Sequence, residues 1–141
     1  MVRMTMRERR VTYAVLMLIT VVAGLVWRMA SLGLPPFWFK YGGSALWAIA
    51  LYWLIAAWLP RWSAVGLGCL AGVVAAVVEF SRLWHVAVVD AFRLTLAGRL
   101  LLGRYFSLMN IAAYWVAIAL AALLDWWLVR GRGFRSEAKD S

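Results

Sequence analysis

Four apolar runs divide the chain, at residues 11–27, 41–59, 62–84 and 107–129. A helix needs about 20 predominantly apolar residues, in a range of about 17–25, to cross a bilayer core. Each run falls in that range, so the pattern predicts an all-α polytopic membrane protein with four transmembrane helices. Helix breakers mark the joints. Pro35 and Pro36 interrupt the first connection, Gly42 and Gly43 give the second helix a flexible start, and Pro60 ends it beside Arg61 in a tight turn. Gly68 and Gly72 form a G-x-x-x-G pattern, extended by Ala71 and Ala75, which suits close helix packing within one chain. With no biased linker and no internal repeat, residues 1–141 read as a single integral membrane domain.

Residues 86–106 follow a different pattern. Val88, Val89, Phe92, Leu96, Leu100 and Leu101 recur at helical spacing, with Asp90, Arg93, Arg99 and Arg104 between them. That spacing predicts an amphipathic interfacial or re-entrant segment between the third and fourth helices. An extended aqueous loop would expose too many leucines.

Composition removes the soluble alternatives. With 66% hydrophobic residues and ten tryptophans in 141, no soluble domain of this size could cover its apolar surface. The net charge of +9 would suit nucleic acid in a polar chain, but here the basic residues are expected to set topology and meet anionic lipid head groups. Most tryptophans, Trp27, Trp53, Trp84 and Trp127 among them, are expected as anchors at the membrane interfaces. Cys69 is the one cysteine, so no intrachain disulfide can form, and no Cys/His spacing suits a metal. No cofactor is expected.

Arg7, Arg9 and Arg10 precede the first run, as they would in a signal peptide. A cut after Ala30 would place Arg28 where a small residue is required, so the run is expected to be an uncleaved helix. Four spans put both termini on one side, with nine of the 15 Lys and Arg residues. The positive-inside rule then predicts that both termini are cytoplasmic. The six residues on the outer side, Arg28, Lys40, Arg82, Arg93, Arg99 and Arg104, run against that rule and hint at another role.

Glu79 is the candidate for chemistry, because an ionised carboxylate inside an apolar span needs a partner or a task. Arg82, three residues on, can pair with it along one helix face. Arg93 can instead fold down onto it from the interfacial segment, and is the favoured distant partner. Arg28, Lys40, Asn110 and Tyr114 fall at the same depth. The positive groups outnumber the acids, so the cluster Arg28, Lys40, Glu79, Arg82, Arg93, Asn110 and Tyr114 suits an anion, with an anionic lipid or lipid-linked phosphate as the natural partner. A buried pair that only fixes register is the competing reading. Catalysis ranks below both: His85 reads as a polar tip at the interface, Ser44, Ser81 and Ser107 lack a nucleophile motif, and no catalytic residue is assigned. Asp125 is expected to pair with Arg130 or another basic residue at the inner face.

Arg28, the run Pro36-Phe37-x-x-Lys40-Tyr41-Gly42-Gly43, Leu46-Trp47, Glu79, Arg93, Gly103, Phe106, Asn110 and Tyr114 carry a resemblance. They are similar to a bacterial four-helix family of unknown function, sometimes labelled YjgA-like. The later part also resembles VanZ-like membrane proteins, linked to glycopeptide resistance. The resemblance implies a cell-envelope role without a defined reaction. Ser44, Arg82 and Asn110 stand where that pattern favours Asp, Gln and Asp, which makes this cluster more positive. The expectation is therefore an envelope protein with an outer-leaflet pocket, in which Glu79 orients the arginines and Arg28 and Arg93 contact the anion. The alternatives are a structural or assembly subunit and, less favoured, a membrane enzyme acting on a lipid-linked substrate.

Overall fold

A computed structural model describes residues 4–30, 32–102 and 106–131. Arg3, Gly103, Arg104, Arg132, Arg135 and Lys139 lie outside the described residues. The described chain is helical: α1 (Met6–Met29), α2 (Pro36–Trp58), α3 (Ala64–Ser81), the short α4 (Ala87–Leu94) and α5 (Leu96–Leu101), and α6 (Leu108–Asp125). A single π-helical turn, Trp126–Arg130, continues α6. Four helices are long and apolar enough to cross a membrane, at the places the apolar runs predict.

Local chemistry moves the ends. The first helix begins at Met6 instead of residue 11 because Thr5 and Glu8 form a capping box: the Thr5 hydroxyl accepts from the Glu8 N–H, and the Glu8 carboxylate accepts from the Thr5 N–H at 2.7 Å. Arg7, Arg9 and Arg10 are thereby drawn into α1. The second helix begins at Pro36, whose fixed φ and missing N–H suit a first turn. Gly42 and Gly43 therefore lie inside α2 and do not loosen its start. Gly42 makes room for the Trp27 ring, since a Cβ there would lie 2.4 Å from it. The Trp27 indole N–H then donates to the Phe39 carbonyl at 3.1 Å, closing the α1–α2 hairpin.

The segment after α3 is helical, as its pattern predicts, but breaks in two at Thr95. Its hydroxyl accepts from the Gly98 N–H at 3.0 Å and caps α5. The elbow is so tight that a Cβ on Gly98 would sit 1.9 Å from the Phe92 carbonyl oxygen.

Helices α1 and α2 pack extensively, α2 lies on α6, and α6 lies on α3. Ala48 and Ala56 of α2, Ala71 and Ala75 of α3, and Ala117 and Ala121 of α6 fill the centre. Small side chains let the backbones approach, which is how helices associate where lipid is as apolar as leucine. The G-x-x-x-G face is used within the chain: a Cβ on Gly68 would reach Ile118 and Ala122, and one on Gly72 would reach Trp115. Valines such as Val22, Val73 and Val116 point outward instead. Trp53 departs from the interface expectation. It is 3% exposed, within the core against Tyr13 and Tyr52, because both tyrosines are drawn inward by a buried acid.

Candidate functional site

Glu79 is fully buried in the last turns of α3, and four donors converge on its carboxylate. Oε1 accepts from the Ser107 backbone N–H at 2.8 Å and from Asn110 Nδ2 at 3.1 Å. Oε2 accepts from the Tyr114 hydroxyl at 2.9 Å and pairs with the Arg82 guanidinium at 2.7 Å. The Ser107 N–H belongs to the start of α6, so one carboxylate binds both an unpaired helix-end donor and two side chains of that helix. Arg82 extends the network, donating to the Tyr114 hydroxyl at 3.2 Å and, through Nε, to the Leu102 carbonyl. Trp47 packs its ring on Tyr114 at 5.3 Å, sealing the cluster from α2. Ser44 reaches Asn110 Oδ1 at 3.5 Å.

Of the two partners the sequence offers Glu79, the structure makes the i, i+3 pairing with Arg82 and corrects the distant pairing with Arg93. Arg93 is buried, but its guanidinium donates to the Ser81 and Trp84 carbonyls at 2.6 and 3.1 Å and pairs with Asp90 at 2.9 Å. Ser81 closes α3 and its carbonyl, which also accepts from the Trp84 N–H at 3.1 Å, has no partner within the helix, so a guanidinium from α4 suits this end of the chain turn. The adjacent Arg82 reaches Glu79 without any change of chain direction, which leaves Arg93 for the helix end. Its Nε is buried with no acceptor among the described residues.

Arg28 and Lys40 share that end of the bundle but stand apart from the Glu79 cluster. Lys40 is exposed and lies over the Tyr41 ring at 5.1 Å, a cation–π contact. Arg28 is exposed, with no hydrogen-bond or ion-pair partner among the described residues. It stands at the edge of an apolar cleft of about 370 Å³. Thr20 and Gly24 of α1, Leu46 and Ala50 of α2, and Leu100 and Leu101 of α5 form the walls. Helix α5 packs on α4 and is parted from α1 and α2 by this space. His85 is a surface tip, as its position predicts, 3.6 Å from Asp90.

A second polar cluster occupies the opposite end. Asp125 is fully buried and pairs with Arg130 at 3.1 Å, as expected. It also accepts from the hydroxyls of Tyr13 and Tyr52, each at 2.7 Å, which the sequence reading missed. Arg130 donates onward to the Trp62 carbonyl at 2.5 Å, and Arg9 to the Pro60 carbonyl at 3.3 Å. A tyrosine inside each of two apolar runs, at the depth of an intramembrane acid, was the available signal. Among the described residues no group of three or more His, Cys, Asp or Glu could hold a metal ion.

These features define a four-helix membrane protein with a polar knot at each end of its bundle and an arginine-rimmed cleft beside one of them. Residues 33–118 match the family described as Protein of unknown function (DUF2809), and the chain belongs to that family. The match takes in α2 to α5 and the start of α6, so it covers Glu79 and its partners but leaves Arg28 and Asp125 outside. No solved structure matches the chain.

Proposed function

We propose that the protein binds an anionic lipid or a lipid-linked phosphate, with the apolar chain in the cleft between α1, α2 and α5 and the phosphate at Arg28. The observation that carries this reading is an arginine with no partner among the described residues, standing beside an apolar space. A guanidinium offers fork geometry and permanent charge to phosphate, while the cleft offers the chain an apolar slot. Lys40, at the same end of the α1–α2 hairpin, supplies a second cation. Glu79, Arg82, Asn110 and Tyr114 brace the site by hydrogen-bonding among themselves, and Arg93 holds α4. This division of labour puts the anion on Arg28 and Lys40 instead of on the whole polar cluster.

With cytoplasmic termini, as the basic-residue bias favours, and a bacterial inner membrane, as the family resemblance implies, the cleft would open in the outer leaflet. An envelope role, of the kind the VanZ-like resemblance implies, suits that placement. Native mass spectrometry tests the reading. Wild-type protein should retain phosphatidylglycerol over phosphatidylcholine, and Arg28→Gln should abolish the preference. An unchanged preference in Arg28→Gln would reject it.

A role as an assembly subunit draws on a separate observation, an apolar groove of about 560 Å³ between α3 and α6 that exposes Val65, Val73 and Val77. A protein partner that co-purifies at native expression and is lost on Val73→Trp would favour it.

A further inference from the structure

Helix α5 is held over the cleft from a distance. It packs on α4, while the cleft parts it from the α1 and α2 walls. Two arginines at the α3 end hold the α4–α5 unit. At one side Arg93 binds α4 to the Ser81 and Trp84 carbonyls. At the other, Arg82 donates Nε to the Leu102 carbonyl, which immediately follows α5, while its NH1 pairs with Glu79. Glu79 in turn accepts from the Ser107 N–H where the chain returns to the bundle. The elbow between α4 and α5 has little freedom of its own, because Gly98 lies against the Phe92 carbonyl.

We infer that Arg82, oriented by Glu79, is a positioning residue that sets the width of the lipid cleft by fixing the end of α5, and so governs how tightly the lipid chain is held. The inference rests on the lipid-binding reading for its consequence but not for its geometry. A guanidinium can bond a carboxylate and a carbonyl at once because its donors form a rigid fork. A lysine ammonium is a single point of charge and cannot reproduce that span. Arg82→Lys should therefore keep the charge pair with Glu79 while releasing Leu102. The paired substitution Glu79→Gln with Arg82→Gln releases Leu102 and leaves no unpaired buried charge, so at least one of the two should fold.

The test uses full-length protein in phosphatidylglycerol nanodiscs, with Cys69→Ala and spin labels introduced by Val22→Cys on α1 and Arg99→Cys on α5. Electron–electron resonance then reads the distance across the cleft, and native mass spectrometry reads retained phosphatidylglycerol. Arg82→Lys should lengthen and broaden the distance distribution and lower retention roughly tenfold, the equivalent of one charge-assisted hydrogen bond. Arg61→Gln, at an exposed turn on the other end, should change neither. An unchanged distance distribution in every folded Arg82 variant would overturn the inference. A widened distribution with undiminished phosphatidylglycerol supports the positioning role and counts instead against the lipid reading of the cleft.

Discussion

The two ends of this bundle solve one problem in two ways. Each buries a carboxylate completely inside an apolar helix and surrounds it with a tyrosine hydroxyl and an arginine. At the Asp125 end the donors are Tyr13 of α1, Tyr52 of α2 and Arg130. That knot joins three long segments directly. At the Glu79 end the donors come from α6 and its start, and the arginine also holds the backbone after α5. One knot closes the bundle; the other ties down a short helical segment beside an open cleft. A buried ion pair alone is poor evidence of function, and the two ends show why. What distinguishes the Glu79 end is the space next to it and the arginine at that space.

The sharpest break of the comparison is to remove each carboxylate in turn. Glu79→Ala removes the counter-charge of Arg82, whose side chain is 8% exposed, and should cost about 3–5 kcal/mol in detergent unfolding. Asp125→Ala should cost less, about 1–3 kcal/mol, because the Arg130 side chain is 17% exposed and can extend toward water. Equal losses would mean the two knots are not distinguished by burial of their arginines.

A second test separates the ends by location. Gly98→Ala places a Cβ against the Phe92 carbonyl and should force the α4–α5 elbow open, at a cost of about 1–3 kcal/mol. Limited proteolysis should show new cleavage within residues 86–102 while the α1–α2 hairpin stays protected.

Smaller effects follow at the Asp125 end. Tyr13→Phe and Tyr52→Phe each remove one hydroxyl and should each cost about 0.6 kcal/mol, up to about 1.7, since interhelical hydrogen bonds in membranes are modest. Their sum, read by the double substitution, should exceed either alone without abolishing folding. Least of all, His85→Ala should stay within about 0.5 kcal/mol of wild type, because the ring is a surface tip.

Sequence carried the long helices because a span depends on length and apolarity, which four runs state openly. It carried Glu79, Arg82, Asn110 and Tyr114 as one cluster because helix ends that share a loop share a depth. It failed on Arg93, since depth does not say which nearby acceptors, the Glu79 carboxylate or the carbonyls of Ser81 and Trp84, a long side chain will reach. It also failed on Trp53, Tyr13 and Tyr52. Whether an aromatic ring faces lipid or core depends on helix rotation, and α2 is apolar on all sides. The cleft was equally hidden, because a gap is a property of packing between α1, α2 and α5 and leaves no mark on any one segment.

The central claim is that an anion is met by Arg28 beside the cleft and not by the Glu79 knot. A crystal structure grown from a lipid phase containing phosphatidylglycerol tests it most directly. The expected result is a phosphate oxygen about 2.7–2.9 Å from the Arg28 guanidinium, with chain density between α1, α2 and α5 and the Glu79–Arg82 pair intact. Phosphate on Arg82 with that pair opened, and Arg28 bare, would contradict it.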